Sequence, residues 1–211
     1  MNAGPCVIRT IVFAKVPQPG RVKTRLIPAL GRSAAAELAQ RLLLQSLHFA
    51  LEANLGAVEL CATPGVPHPA WKHIRLPEGL EHSEQAPGDL GERLAQAARR
   101  TIENKEAVLL IGTDCPQLQA HVLQQAAEAL KTHDATLIPA TDGGYVLFGL
   151  NHFEPSVFAD IPWSTAAVAE QTRARCKQLG WRLKVHPALH DIDTPEDLKK
   201  YPDLLPEYAA D

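Results

Sequence analysis

The sequence predicts an α/β protein built on a mostly parallel sheet with helices on both faces. Short apolar runs alternate with longer stretches of helical periodicity, which is the pattern of βαβ units. One run, Val108–Ile111, is apolar at every position and stops abruptly at Gly112, as a strand buried on both faces does. The length, 211 residues, suits one medium domain with a full core, taken here as residues 1–211.

Taken in order, Val7–Ala14 reads as the first strand. Ser33 then opens a long helix whose inner face carries Leu38, Leu42, Leu43, Leu47 and Leu51. Val58–Ala62 is the second strand, Thr63–Pro69 a Pro-rich loop, and Ile74–Leu76 a short third strand. Asp89–Asn104 places Leu90, Leu94, Ala97, Ala98 and Ile102 at helical spacing with charges opposite. Val108–Ile111 follows, then a helix around His121–Lys131 and a strand at Ala135–Pro139. Thr141-Asp-Gly-Gly144 punctuates before Tyr145–Leu150, because Asp-Gly between strand-like runs is a hairpin signal. Ser164 begins a helix to about Leu179, stopped by Gly180; Arg182–His186 is a late strand. Thr194-Pro-Glu-Asp197 starts a short helix, with Thr194 as cap and Pro195 at its first position. No internal repeat or low-complexity linker interrupts this series.

The net charge is −3, so bulk electrostatics favour neither nucleic acid nor an anionic membrane, and any basic site must be local. No apolar run reaches the roughly 20 residues needed to span a bilayer. Met-Asn-Ala-Gly-Pro-Cys lacks the form of a signal peptide, so the expected setting is cytosolic. Cys6, Cys61, Cys115 and Cys176 form no C-x-x-C pair, and the nine histidines show no paired ligand spacing. Neither a disulfide framework nor a zinc site is implied. Cys115 reads as a buried, inert thiol.

Asp114 is the most informative residue. It follows the central strand, where Gly112 turns the backbone and Pro116 forbids further pairing. Ligands of open α/β sheets bind at this carboxyl edge. A carboxylate there suits a hard cation such as Mg²⁺, with capping of the next helix as the alternative. The first strand leads into a Pro-bounded loop in which Lys15, Arg21, Lys23 and Arg25 surround Gly20. Such a loop suits phosphates, with glycine allowing close approach and the cations gripping; a solvated basic face is the alternative. Without an anion, it gathers like charges and is expected to be mobile. It is neither a Walker A loop nor G-x-G-x-x-G. Gln85-Ala-Pro-Gly-Asp-Leu-Gly-Glu-Arg93 places two glycines and an Asp just before a helix, with Asp89 as its cap or the helix start facing a phosphate or ribose. Asp191 and Asp193 end a late strand two residues apart and could complete a metal site begun by Asp114.

Several segments together resemble one family: Phe13-Ala-Lys-x-Pro-x-Pro-Gly-x-Val-Lys-Thr-Arg-Leu26, Gly88-Asp-Leu-Gly-Glu-Arg93, Ile111-Gly-Thr-Asp-Cys-Pro-x-Leu118, Asp142-Gly-Gly-Tyr145, Ile161-Pro-Trp-Ser-Thr165 and Asp191-x-Asp-Thr-Pro-Glu-Asp197. The chain, from Val7 to Leu198, is similar to the radical-SAM/selenodomain-associated transferases of the glycosyltransferase A-type, nucleotide-diphospho-sugar transferase superfamily. The resemblance implies a Rossmann-like three-layer αβα sandwich with a mixed sheet and a nucleotide over its first strands. It also implies a D-x-D-type carboxylate on the central strand, the place of Asp114 here. The second Asp of that motif is replaced by Pro116, a departure shared with nucleotidyltransferases such as the molybdenum-cofactor and phospholactate guanylyltransferases.

The expected function is therefore metal-dependent transfer of a glycosyl or nucleotidyl group from a nucleotide sugar or nucleoside triphosphate to a small-molecule acceptor. Asp114, Asp191 and Asp193 are expected to hold Mg²⁺ or Mn²⁺. Lys23 and Arg25 are expected to neutralise the leaving diphosphate. Lys15, Gly20, Arg21, Gly88 and Asp89 complete the nucleotide site, and Asp142 and the Trp163 loop the acceptor side. Trp163 fits either an acceptor wall or core packing. The alternative is a non-catalytic nucleotide- or metabolite-binding module.

Overall fold

The computed structural model describes residues 7–204, so Cys6 lies outside the described residues. Seven strands form one sheet: β1 (Ile8–Lys15), β2 (Val58–Thr63), β3 (Leu80–Glu84), β4 (Ala107–Ile111), β5 (Ala135–Pro139), β6 (Tyr145–Leu150) and β7 (Leu183–Val185). Their order is β3-β2-β1-β4-β6-β5-β7. Neighbours are parallel except at β6, which runs against both β4 and β5. The predicted class, a mostly parallel mixed sheet, is the one observed.

The helices are α1 (Ile27–Glu52), α2 (Leu90–Glu103), α3 (Ala120–Ala129), α4 (Val168–Gln178) and α5 (Pro195–Leu198). Successive strand residues point to opposite faces, and the central strands divide accordingly. Val12, Leu109 and Ile111 pack with Leu43 and Leu47 of α1 and Leu123 of α3. Ile11, Val108 and Leu110 pack with Leu94 and Ala98 of α2 and Cys176 of α4. These are the two cores of a three-layer sandwich. Truncating a fully buried residue such as Leu109 should cost about 2–5 kcal/mol. Among the described residues, no helix is long and apolar enough to cross a membrane.

Three expectations need correction. Ile74–Leu76 is not a strand, although Ile74 and Leu76 pack against the core. The third strand is the edge strand β3, whose polar Glu81-His-Ser-Glu84 carries no apolar run to announce it. Ser164 does not open α4, because its backbone is left-handed (φ 64°) and residues 163–167 form turns before Val168. Leu90 has the periodicity of an inner-face residue, yet it is 44% exposed. It stands at the first position of α2, beyond the sheet edge, and faces the cleft described below. The expected start at Ser33 corresponds to a break within α1 at Gly31 (φ 78°, ψ 168°), with four residues from Ile27 preceding it.

Candidate active site

The carboxyl ends of β1, β4 and β5 and the start of β6 open onto one cleft. β6, although reversed, starts there because a tight turn returns the chain from β5. Asp142 Oδ1 accepts from Gly144 N at 2.8 Å, and Gly143 supplies the positive φ of 95°. The hairpin signal was therefore correct, and the same turn sets Asp142 in the cleft wall.

A third apolar cluster lies beneath the site. Leu26, Leu38, Leu42, Ile192 and Leu198 are all buried together. It ties the end of the basic loop, the body of α1 and the segment carrying Asp191 and Asp193 into one unit. Ile192 N also donates to Asp114 O at 2.9 Å, which fixes that segment to the end of β4. Asp197 holds it from behind, its Oδ2 accepting from Asp193 N at 3.1 Å and from Thr194 N and Oγ1 at 2.8 Å each. Burial opposes its ionised form, but these hydrogen bonds prevail and hold its carboxyl low, at about 2. The sequence assigned Asp197 to helix capping alone; it also frames the acidic site.

Lys23 departs most from expectation. Its backbone is left-handed (φ 45°, ψ 42°), a conformation costing a non-glycine residue roughly 1–2 kcal/mol. Its side chain is only 6% exposed. The ammonium donates to Ile192 O at 2.5 Å and lies 2.7 Å from Asp114 Oδ1 and 3.1 Å from Asp193 Oδ1. Burial pulls the Lys23 pKa down, but attraction to Asp114 and Asp193 outweighs it, and the pKa is raised. The loop is thus no unrelieved cluster of like charges. Arg25 is largely exposed, with Nη1 3.5 Å from Asp193 Oδ2.

Of the three expected metal ligands, Asp191 and Asp193 come together as anticipated, but the third member of the tight group is Asp142. One carboxylate oxygen from each of Asp142, Asp191 and Asp193 lies within 4.8 Å of the others. Asp114 borders this group through Lys23, which bridges it to Asp193. Burial first, and then the charges of Asp142, Asp193 and Asp114, push the Asp191 carboxyl up to about 6. Crowded carboxylates with an all-oxygen donor set fit a hard divalent cation. The buried ammonium lies beside this group, between Asp114 and Asp193, and shares Asp193 with it.

The cleft has a volume of about 770 Å³. Lys15, Arg21, Lys23 and Arg25 line it together with Asp114, Asp142 and Asp193. Gly20, with φ 79°, turns the loop beside Arg21 without lining the cleft. A smaller pocket of about 350 Å³ adjoins it, lined by Gly88 and Asp89 and sharing Phe13, Lys15 and Leu90 with the main cleft. Asp89 is the α2 cap, accepting from Glu92 N at 2.9 Å while Glu92 Oε2 accepts from Asp89 N at 2.7 Å. Gln85 and Arg93 of this pocket bound the segment singled out in the sequence, but no role was assigned to either. The Gln85 amide donates to Ala14 O at 3.1 Å and Cys61 O at 3.0 Å, and accepts from Arg93 Nη1 at 3.2 Å. A lone Gln beside a Pro-Gly turn gives no pattern by which to find it.

Trp163 is placed for either of its two expected roles. It packs among the α2–α4 core residues, edge-on to Tyr145 with centroids 6.3 Å apart, and it also lines the cleft. Two glycines admit this wall. A Cβ on Gly91 would lie 2.4 Å from Trp163 Nε1, and one on Gly143 would lie 2.2 Å from Ala166 O. Ala169 N, in the first turn of α4, donates to Gly143 O at 2.9 Å, which clips the start of that helix to the Asp142 turn. Cys115 is buried, and burial pushes its thiol up to about 11, as an inert core cysteine requires.

The comparisons with known proteins agree with this fold. The family model DUF2064, described as an uncharacterized protein conserved in bacteria, matches residues 46–165. The chain belongs to the DUF2064 family. This DUF2064 chain is 31% identical to the crystal structure of a proposed nucleotide-diphospho-sugar transferase from Desulfovibrio desulfuricans G20, with a TM-score of 0.83 over 90% of this chain and 84% of that one. It is similar in fold to a nucleotidyl transferase from Methanothermobacter thermautotroptrophicus (14% identity, TM-score 0.58, 93% and 96% covered). It also resembles Rv0371c of Mycobacterium tuberculosis H37Rv, solved as a manganese complex (19% identity, TM-score 0.52, 94% and 97% covered). At those last two identities the likeness shows the fold alone. No curated protein matches the sequence.

Proposed function

We propose that this DUF2064 protein is a divalent-metal-dependent transferase that takes a glycosyl or nucleotidyl group from an activated nucleotide to a small-molecule acceptor. The observation that carries the reading is the composition of the cleft: a basic loop and a group of carboxylates share one cavity at the carboxyl edge of the sheet. The 31% identical Desulfovibrio protein, itself a proposed nucleotide-diphospho-sugar transferase, supports the reaction class. The manganese complex of Rv0371c supports the metal. We extend to this chain the radical-SAM/selenodomain association of the transferases it resembles, and keep the cytoplasmic setting expected from its sequence.

In this reading Lys15, Arg21 and Arg25 bind the donor phosphates, and Gly88 and Asp89 flank the nucleoside end. Asp114, Asp191 and Asp193, joined by Asp142, would hold Mg²⁺ or Mn²⁺. When bound, the metal neutralises negative charge on the phosphates. Trp163 and Leu90 form an apolar wall that shields part of the cleft from water, and Asp142 faces the acceptor side. An acceptor oxygen attacks in line, and the bond to the leaving diphosphate or nucleotide breaks as the new bond forms. Cys115, the thiol next to the site, is too deeply buried to serve as a covalent nucleophile.

Thermal stabilisation by nucleoside triphosphates and nucleotide sugars, with and without Mg²⁺ or Mn²⁺, tests the proposal. A ligand at 100 times its dissociation constant should add about 2.7 kcal/mol. That is roughly 5–10 °C for a domain of this size. Preference for GTP or CTP would assign nucleotidyl transfer, and preference for UDP- or GDP-sugars glycosyl transfer. Stabilisation by none of them, with or without metal, would overturn the reading.

A further inference from the structure

Lys15, Arg21 and Arg25 are exposed to the cleft, and Lys23 is not. A lysine ammonium has three N–H donors and no acceptor. At Lys23 all three have partners: Ile192 O at 2.5 Å, Asp114 Oδ1 at 2.7 Å and Asp193 Oδ1 at 3.1 Å. In this arrangement no donor is left for a phosphate. Asp193 also belongs to the carboxylate group that fits a divalent cation, and Asp114 borders that group. A metal that draws on Asp193 and Asp114 would compete with the ammonium for both.

The surroundings allow Lys23 to leave. Lys23 is among the residues that line the cleft, so its buried side chain lies next to the open cavity. Its stem is four flexible carbons, and its backbone is held left-handed (φ 45°) at the end of a surface loop bounded by Pro17, Pro19 and Gly20. Breaking the contacts removes the reason for that conformation.

We propose that Lys23 is an exchangeable counter-ion. Its ammonium occupies the cation position at Asp114 and Asp193 until a divalent metal takes that position, and it then swings into the cleft to meet the phosphates of the nucleotide. The inference rests on the metal-dependent reading above. It adds that metal and nucleotide binding are coupled through this one residue: the arriving metal frees the cation that grips the anion, and the anion, by holding that cation, favours the metal.

Lysine acetylation of the intact protein, read by mass spectrometry, tests the exchange directly. Exposed Lys72 serves as the internal reference. In the absence of metal, Lys23 should be labelled at least about tenfold more slowly than Lys72, as a buried, paired ammonium is. Mn²⁺ alone, its binding followed by electron paramagnetic resonance, should bring Lys23 labelling to within a few-fold of Lys72. Inorganic pyrophosphate added with Mn²⁺ should protect it again. Bound Mn²⁺ with Lys23 still protected would overturn the exchange while leaving the metal reading intact; no bound Mn²⁺ would overturn both. Lys23→Met provides a second measurement. Freed of its competitor, the site should bind Mn²⁺ about tenfold more tightly in the absence of nucleotide, within the usual range of couplings between sites. Equal or weaker Mn²⁺ affinity in a folded Lys23→Met protein also refutes the proposal.

Discussion

The contact between Gly91 and Trp163 makes the cleft wall measurable. Gly91→Ala has two opposed effects. Alanine favours the helical backbone over glycine by up to about 1 kcal/mol. The added Cβ, however, would lie 2.4 Å from Trp163 Nε1, 2.9 Å from Trp163 Cε2 and 2.9 Å from Phe158 O. Overpacking of that kind costs about 1–3 kcal/mol. The net effect should be a loss of roughly 1–2 kcal/mol, or about 3–6 °C in Tm for a chain of this length. In a Trp163→Ala background two of the three close contacts vanish, and the same change should be nearly neutral. Chemical denaturation of the four proteins then gives a coupling energy of about 1–2 kcal/mol. Strict additivity would refute the claim that the indole is seated on the first turn of α2.

Other expectations follow from particular groups. The Asp191 carboxyl, at about 6, lies above the roughly 3.9 of an unfolded chain, so its contribution to stability is present at low pH and declines as pH rises from about 4 to 6; Mn²⁺ affinity, measured by titration, should rise over the same span, and Asp191→Asn should flatten the profile. The Glu59 side chain, 3% exposed, accepts from Arg100 Nη1 at 2.8 Å and Ser83 Oγ at 2.5 Å. Glu59→Gln should cost about 2–3 kcal/mol in urea unfolding, below the full cost of breaking a buried pair because Arg9 keeps Glu81 and Glu106; a loss within about 0.5 kcal/mol, the scale of surface changes, would count against a supporting network. Cys61, Cys115 and Cys176 are buried, so thiol titration at pH 8 should find them unreactive until the protein is denatured.

Most of the sheet could be read from the chain because its strands are buried on both faces and so appear as apolar runs; β4 is the clearest case. β3 could not, because an edge strand needs no apolar face to form its hydrogen bonds. The start of α4 was misplaced because Ser164 looks like a cap, yet its backbone is left-handed and the following residues pack on the Asp142 turn before the helix begins. In the candidate site, the residue types and their gathering at one sheet edge were legible. The partners were not. Whether Lys23 faces a phosphate or a carboxylate depends on where Ile192 and Asp193 arrive, which follows from packing far along the chain.

The segment that laces the site together also sets the order in which the protein can come into being. Asp193 follows Asp114 by 79 residues, and the last strand, β7, ends at Val185, before Asp191 and Asp193. At about 5–20 residues per second of synthesis, Asp114 waits roughly 4–16 s on the ribosome for the carboxylate opposite it. The nascent sheet can thus be complete while Lys23 has one acid partner and the binding cleft lacks its rear wall. The carboxylates Asp191 and Asp193 come from a segment made after every strand of the described sheet.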